Sequence, residues 1–556
     1  MGKGILRAPA DAGSARHADR IGRKVDGMDL SSLSLREKVM QTVVLRIQRD
    51  AFVPEPVGAA FFFGEIITEE SDLGLDQARA VLQAYADNAK VPILLVSDFE
   101  NGCGSMLKGL TPLPYLMSLG AANDPDLAYD YGLATALEAR SVGANWSLSP
   151  VSDLNLNFRN PLINVRGLTD DPDLACRLLT QVVRGMQDGG LAACAKHFPG
   201  DGVDWRDQHI VTTCNSLSRE DWLRLSGRVF QSLIDCGVDS IMAGHITLPA
   251  FQQEKGARGL CPPATLSREL ITGLLKGRMG FDGVVVTDAL DMGGFGGWYP
   301  SRQEAELAAF AAGCDMLLWP SAEYPDRLEK AVWDGEIPME RLDDAVSRIL
   351  RMKQRRGLFD GKQRAVPLTD EQKAFVQRTQ QRVAEASVTL LRDEAGLFPL
   401  DPGTRRRVAV VPITEWEPAF AEAELLCREL CARGFAAELL REGLQKGEED
   451  GYDLILYALL TRPFRPIGFL DFHAAEARKL LHSLQDGVDK TCIVSFGSPY
   501  FADQYAERAL TCVNAYSMLS PSVRAFVRAA TGEIPFSAFS PVRLSQDMEP
   551  MPWWRA

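Results

Sequence analysis

From Leu30 onward, short apolar runs alternate with longer segments in which apolar residues recur at helical period. The runs are TVVLR (42–46), AAFFFG (59–64), ILLVSD (93–98), NWSLSP (145–150), AACAKHF (192–198), SIMAGH (240–245), VVVTD (284–288) and DMLLW (315–319). Strand-length runs interleaved with helical ones are the signature of βα units and a parallel sheet. Eight of them predict an N-terminal TIM-type (β/α)8 barrel, a fold of about 250 residues or more. The first 28 residues carry no hydrophobic period and are expected to form a tail, which leaves 29–354 for the barrel.

A polar stretch over 355–370, with Gly357, Gly361 and Pro367, reads as a linker, and a helical segment follows from Glu371. Linker and connecting helix are expected over 355–386. Beyond them lie SVTLL (387–391), VAVVPI (408–413), YDLILYALL (452–460), TCIVSF (491–496) and TCVNAY (511–516), with helical patterns between them at 421–433 and 474–484. This second series predicts an α/β domain over 387–556, an open sheet in an αβα sandwich.

Composition narrows the function. With 556 residues, 46% hydrophobic and 24% charged, the chain is a folded globular protein of two or three domains, not a disordered, collagenous or coiled-coil one. A net charge of −14 and a pI near 5.1 argue against nucleic acid or an anionic membrane as partner, and favour a neutral small molecule. No run approaches the roughly 18–20 apolar residues of a membrane span, and the polar, basic N-terminus has no apolar signal core. A cytoplasmic location is expected. The eleven cysteines include no C-x-x-C pair, so neither a disulfide framework nor a zinc site is expected. Cys427 and Cys431 share a helix face without further ligands nearby, and read as packing.

Barrel enzymes work at the C-terminal ends of their strands. Polar residues gather there: Asp98 with Glu100 behind it, Lys196 and His197, His245, and Asp288. Of six histidines, His197, His209 and His245 fall at or just past these ends. In KHFPGDGVDWRDQH (196–209), Pro199, Gly200 and Gly202 force a turn that holds Lys196 and His197 in place. Asp207 stands two residues before His209, where a carboxylate can fix the imidazole's tautomer and keep it a proton donor. Asp288 is open to three readings: nucleophile, metal ligand or helix cap. Lys196 nearby disfavours a cation, whereas a carboxylate nucleophile with a separate proton donor is the pattern of retaining glycoside hydrolysis.

KHFPGDG (196–202) with its downstream D-x-H, GFDGVVVTDALDM (280–292), PVSDLNLN (150–157) followed by NPLINVR (160–166), and SDFENG (97–102) together resemble glycoside hydrolase family three. The D-x-H loop is similar to the NagZ-type β-N-acetylglucosaminidase branch, which uses an Asp–His pair where the family's β-glucosidases use a Glu from the second domain. The resemblance covers residues 35–358 and extends more weakly through VTLLRDEAGLFPL (388–400) and GEIPFSAFSP (532–541), as in the family's two-domain form. It implies a retaining exo-glycosidase releasing terminal β-N-acetylglucosamine from peptidoglycan-derived or chitin-derived fragments, with no metal or other cofactor. It further implies Asp288 as nucleophile and His209 as general acid/base oriented by Asp207. Asp98, Arg166, Lys196 and His197 would bind the sugar hydroxyls, with His245 in support. Trp298 and Tyr299 are either packing residues or a stacking surface for the leaving group.

Two departures bear on the sugar. Asp201 replaces the His of the family's G-H-G, and Cys103 to Met106 offer no Arg where the family places one. A β-glucosidase, a β-N-acetylglucosaminide phosphorylase and a non-catalytic sugar-binding protein are the alternatives. Phosphorolysis is open because a neutral-to-cationic His, unlike an anionic Glu, does not repel phosphate.

Overall fold

The structure is a computed structural model describing residues 24–25, 28–47, 56–62, 74–256, 259–360, 364–461, 474–480, 483–505 and 509–544. Eight strands build the barrel of the first domain: β1 Val43–Arg46, β2 Ala59–Phe61, β3 Leu94–Ser97, β4 Trp146–Ser147, β5 Cys194–Phe198, β6 Ser240–Ala243, β7 Val284–Thr287 and β8 Leu317–Leu318. They pair in parallel as β8-β1-β2-β3-β4 and β5-β6-β7. Parallel bridges from Trp146 to Ala192 and from Val286 to Met316 join the two sets into a ring. The eight apolar runs are therefore the eight barrel strands.

Alternation along each strand sorts its residues. Val44, Leu94, Val96, Cys194, Val284 and Val286 pack together inside the ring, while Val43, Leu95, Ala195 and Val285 pack outward against the helices. Successive strand residues point to opposite faces. Asp98, Lys196 and Asp288, two residues beyond Val96, Cys194 and Val286, thus continue the inward register at the C-terminal mouth. The same spacing carries Arg46 beyond Val44, and its guanidinium lies 5.0 Å over the Trp319 ring.

The second domain is a six-stranded sheet of β9 Thr389–Asp393, β10 Arg407–Ile413, β11 Ala436–Leu439, β12 Leu454–Leu459, β13 Thr491–Ser495 and β14 Thr511–Asn514. Its order is β9-β14-β13-β12-β10-β11, with only β9 antiparallel to its neighbour. One face packs on the helices Phe420–Cys431 and Ser520–Ala530, and Leu444, Leu480 and Phe501 cover the other. Strand β11 has no counterpart among the sequence runs. It is an edge strand, AAEL, with alternating exposed and half-buried residues, so it lacks the continuous apolar pattern of its neighbours.

The helix Asp370–Ser387 opens with a capping box between Thr369 and Gln372. It packs against the barrel helices Leu116–Ala122 and Pro125–Ser141 and against Ser520–Ala530 of the second domain. Most of the expected N-terminal tail lies outside the described residues, but Lys24–Val25 pairs with Met28–Asp29, so regular structure starts before residue 28. Among the described residues no helix is long and apolar enough to cross a membrane, and no group of three or more His, Cys, Asp or Glu is placed to hold a metal ion.

Candidate active site

At the barrel mouth four charged side chains alternate in sign. Lys196 Nζ lies 2.8 Å from Asp98 Oδ1 and 2.7 Å from Glu100 Oε1. Arg166 grips Glu100 with both arms, Nε to Oε2 and Nη2 to Oε1, each at 2.8 Å. Burial alone would raise the Glu100 pKa, but Arg166 and Lys196 hold it well below the usual carboxylate range. Asp98 is shifted the other way, chiefly by burial and also by the charge of Glu100, against the pull of Lys196. Lys196 is almost wholly buried, and its two carboxylates raise its pKa in spite of that burial. Deleting one member of such a chain strands its partner's charge, at about 3–5 kcal/mol. Glu100, placed behind Asp98 by the sequence but given no role there, therefore belongs to the cluster.

His197 follows directly. Its Nδ1 lies 2.7 Å from Asp153 Oδ2, and its Nε2 lies 4.0 Å from Asp288 Oδ2. Asp153 also accepts the backbone N–H groups of His197 and Asp201. The Asp153 carboxylate accepts a hydrogen bond from Nδ1–H, which turns Nε2 toward Asp288. Asp288 is buried, which by itself raises its pKa, yet His197, His245, His209 and Lys196 around it bring it below the usual carboxylate value. It is an ionised carboxylate at the centre of the mouth.

The loop after β5 brings up His209, whose Nδ1 lies 2.9 Å from Asp207 Oδ1. Asp207 is fully buried, whereas the His209 side chain is 36% exposed, so the ring stands at the solvent face of the cluster. This loop is tied to the one following Asp288, through Gly293 N–H to His209 O at 2.8 Å and Gly294 N–H to Gln208 O at 3.2 Å. A Cβ on Gly293 would meet Ile210 O at 2.2 Å, so the contact requires glycine. Trp298 donates its Nε1–H to Thr212 Oγ1 at 2.9 Å and is a packing residue in this seam, while Tyr299 is 42% exposed.

His245 lies behind the mouth rather than in it. It is wholly buried, its Nε2 donates to Ala289 O at 3.0 Å, and its Nδ1 sits 2.9 Å from Thr265 Oγ1. Both ring nitrogens are used within the fold, and burial lowers its pKa, so it is a support behind Asp288. The family-divergent Asp201 is also buried. Its Oδ1 accepts from Asn160 Nδ2 and Gly202 N–H, while Oδ2 has no hydrogen-bond partner among the described residues. Burial first, then the charge of Asp153, raise its pKa to about 7.

The remaining expected residues, Asp98, Arg166, Lys196, His197, Asp207, His209 and Asp288, thus occupy one mouth, joined by Glu100 and Asp153. Asp153 had a sequence signal, since it lies in the PVSDLNLN run, but nothing in that run marks it as the partner of His197. Residues 34–352 match the Glycosyl hydrolase family 3 N terminal domain. The chain belongs to glycosyl hydrolase family 3. Within the family, a Beta-N-acetylglucosaminidase/beta-glucosidase of Cellulomonas fimi is 32% identical over 502 residues, covering 84% of this chain and 86% of that one. Among solved family structures, a beta-N-acetylglucosaminidase from a Paenibacillus species is 31% identical with a TM-score of 0.78, covering 92% of this chain and 99% of that one. A solved Beta-glucoside phosphorylase BglX superposes with a TM-score of 0.82 at 29% identity, covering 92% and 94%. All three likenesses run through both domains.

Proposed function

We propose that the protein is a retaining exo-β-N-acetylglucosaminidase working through a covalent intermediate on Asp288. The observation that carries this reading is the pairing of an ionised, buried Asp288 with a separate, outward-facing Asp207–His209 couple on a loop fastened to the Asp288 loop. In the first step an Asp288 carboxylate oxygen bonds to the anomeric carbon as the bond to the leaving oxygen breaks, and His209 Nε2 gives that oxygen a proton. Asp207 steadies the imidazolium before transfer and keeps the Nδ1–H tautomer after it. In the second step neutral His209 takes a proton from water as the water oxygen attacks the anomeric carbon and Asp288 leaves. Asp98, Lys196, His197 and Arg166 supply charged hydrogen bonds to the sugar hydroxyls, which are stronger than neutral ones.

The names of the relatives support the acetamido sugar and also keep a β-glucoside open. A second reading, phosphorolysis, gains support from the phosphorylase among the similar structures. Once His209 has given up its proton it carries no charge to oppose an anionic acceptor. Hydrolysis of paired chromogenic β-N-acetylglucosaminide and β-glucoside, with and without phosphate, tests both. Preference for the acetamido sugar and release of free sugar support the first reading. A sugar phosphate as main product supports the second, and preference for the glucoside overturns the sugar assignment.

A further inference from the structure

The barrel loop over 155–171 carries Arg166 toward Glu100, and its far side rests on the second domain. Phe158 packs against Tyr500 with ring centroids 6.2 Å apart, Thr169 Oγ1 donates to Pro541 O, and Arg543 Nε lies 2.9 Å from Asp170 Oδ2. Val165 packs with Tyr500, Tyr516 and Val542, and Asn164, two residues before Arg166, donates its Nδ2 to Ser498 Oγ at 3.0 Å. Asn164 begins the short turn Asn164–Arg166 at φ 35°, in the left-handed region where an L residue is strained unless its surroundings hold it. Its Oδ1 accepts from Val165 N–H at 2.9 Å and its carbonyl from Asn155 Nδ2 at 3.0 Å. Every polar atom of the Asn164 side chain is thus committed to fixing the turn that aims Arg166.

Ser498 is itself fixed. It is 1% exposed, its N–H donates to Thr461 Oγ1 at 3.0 Å, and its carbonyl accepts from Ser495 Oγ at 2.7 Å. A Cβ on the preceding Gly497 would lie 2.1 Å from Thr461 Oγ1, so the segment can approach the chain just past β12 this closely only with glycine there. The hydrogen bond to Asn164 therefore runs from a rigid element of one domain to a strained turn of the other.

We propose that Ser498 is a positioning residue for the barrel site, acting through Asn164 on Arg166, so that the second domain sets the affinity for the sugar. This rests on the reading of Arg166 as a sugar-binding residue. On this proposal Arg166 binds the sugar hydroxyls equally in ground state and transition state, so loosening it raises KM and leaves kcat nearly unchanged.

The test is steady-state kinetics of the full chain on chromogenic β-N-acetylglucosaminide for Ser498→Ala, Asn164→Gly, the double variant and Arg166→Lys, with melting temperatures for each. Glycine tolerates the φ of Asn164. Ser498→Ala is expected to raise KM about fivefold, the worth of one hydrogen bond, with kcat within about twofold. Asn164→Gly is expected to do at least as much, and the double variant no more than Asn164→Gly alone. Val410→Ala, a truncation in the second domain's core away from this contact, is expected to lower the melting temperature without raising KM. An unchanged KM in Ser498→Ala, or an equal rise in Val410→Ala, overturns the proposal while leaving the site reading standing if Arg166→Lys still raises KM. An unchanged KM in Arg166→Lys overturns both.

Discussion

Asp153 holds His197 at two points, through the ring Nδ1 at 2.7 Å and the backbone N–H at 3.1 Å. Because the ring's other nitrogen faces Asp288, the orientation of His197 at the barrel mouth depends on the buried Asp153 carboxylate behind it.

Asp153→Asn keeps the shape of that side chain but removes its charge. The lost charge-assisted hydrogen bond is worth about 1.5–3 kcal/mol. That corresponds to a fall of roughly ten- to a hundredfold in kcat/KM. Steady-state kinetics beside a thermal melt check it, and a melting temperature close to wild type is required for the loss to be assigned to His197.

Asp207→Asn leaves His209 in place with no anion to stabilise its protonated form. For an alkyl or sugar leaving group, which needs a proton, the first step is expected to slow by roughly 100- to 10,000-fold. For an activated aryl leaving group the loss is expected to be much smaller. Comparing the two substrate types in one variant separates proton donation from general damage.

Gly293→Ala acts on the same histidine from the opposite side. The new Cβ would meet Ile210 O at 2.2 Å and His209 O at 3.0 Å, so the loop bearing His209 must move. The expected cost is roughly ten- to a hundredfold in kcat on poor leaving groups, as for other small misplacements of a catalytic group. Kinetics on the same pair of substrates should show the leaving-group dependence of Asp207→Asn, in milder form.

Asp201 makes stability depend on pH. Its folded pKa of about 7 lies above the ordinary 3.8, so between those values the native state keeps a proton that the unfolded chain has lost. Stability is then lost as pH rises through that window, and the loss is complete above the folded value. Asp201→Asn removes this dependence. Relative to wild type, its melting temperature is expected to gain from about pH 4 to pH 7 and then hold level, as thermal melts across that range can show.

The barrel was legible because its strands are short, mostly apolar runs, several of which carry a polar residue at the inward position beyond the end, as Val96 to Asp98, Cys194 to Lys196 and Val286 to Asp288 show. The Asp207–His209 pair was legible because its partners are two residues apart. Less could be read where the meaning lay in contacts between distant segments. His245 also stands just past a strand end, but it continues the outward register of Ile241 and Ala243, and its bonds to Ala289 and Thr265 hold it behind the mouth. Asp153 and Glu100 look like ordinary loop carboxylates until the fold sets them against His197 and Arg166. Strand β11 escaped because an exposed edge strand needs no apolar run.

The most direct test of covalent catalysis by Asp288 is mass spectrometry of the protein after reaction with a fluorinated N-acetylglucosaminyl fluoride, a substrate that forms the intermediate faster than it releases it. The expected result is a single sugar on the peptide containing Asp288, absent in Asp288→Asn. A sugar attached to another carboxylate, or an Asp288→Asn variant turning over at the wild-type rate, would contradict it.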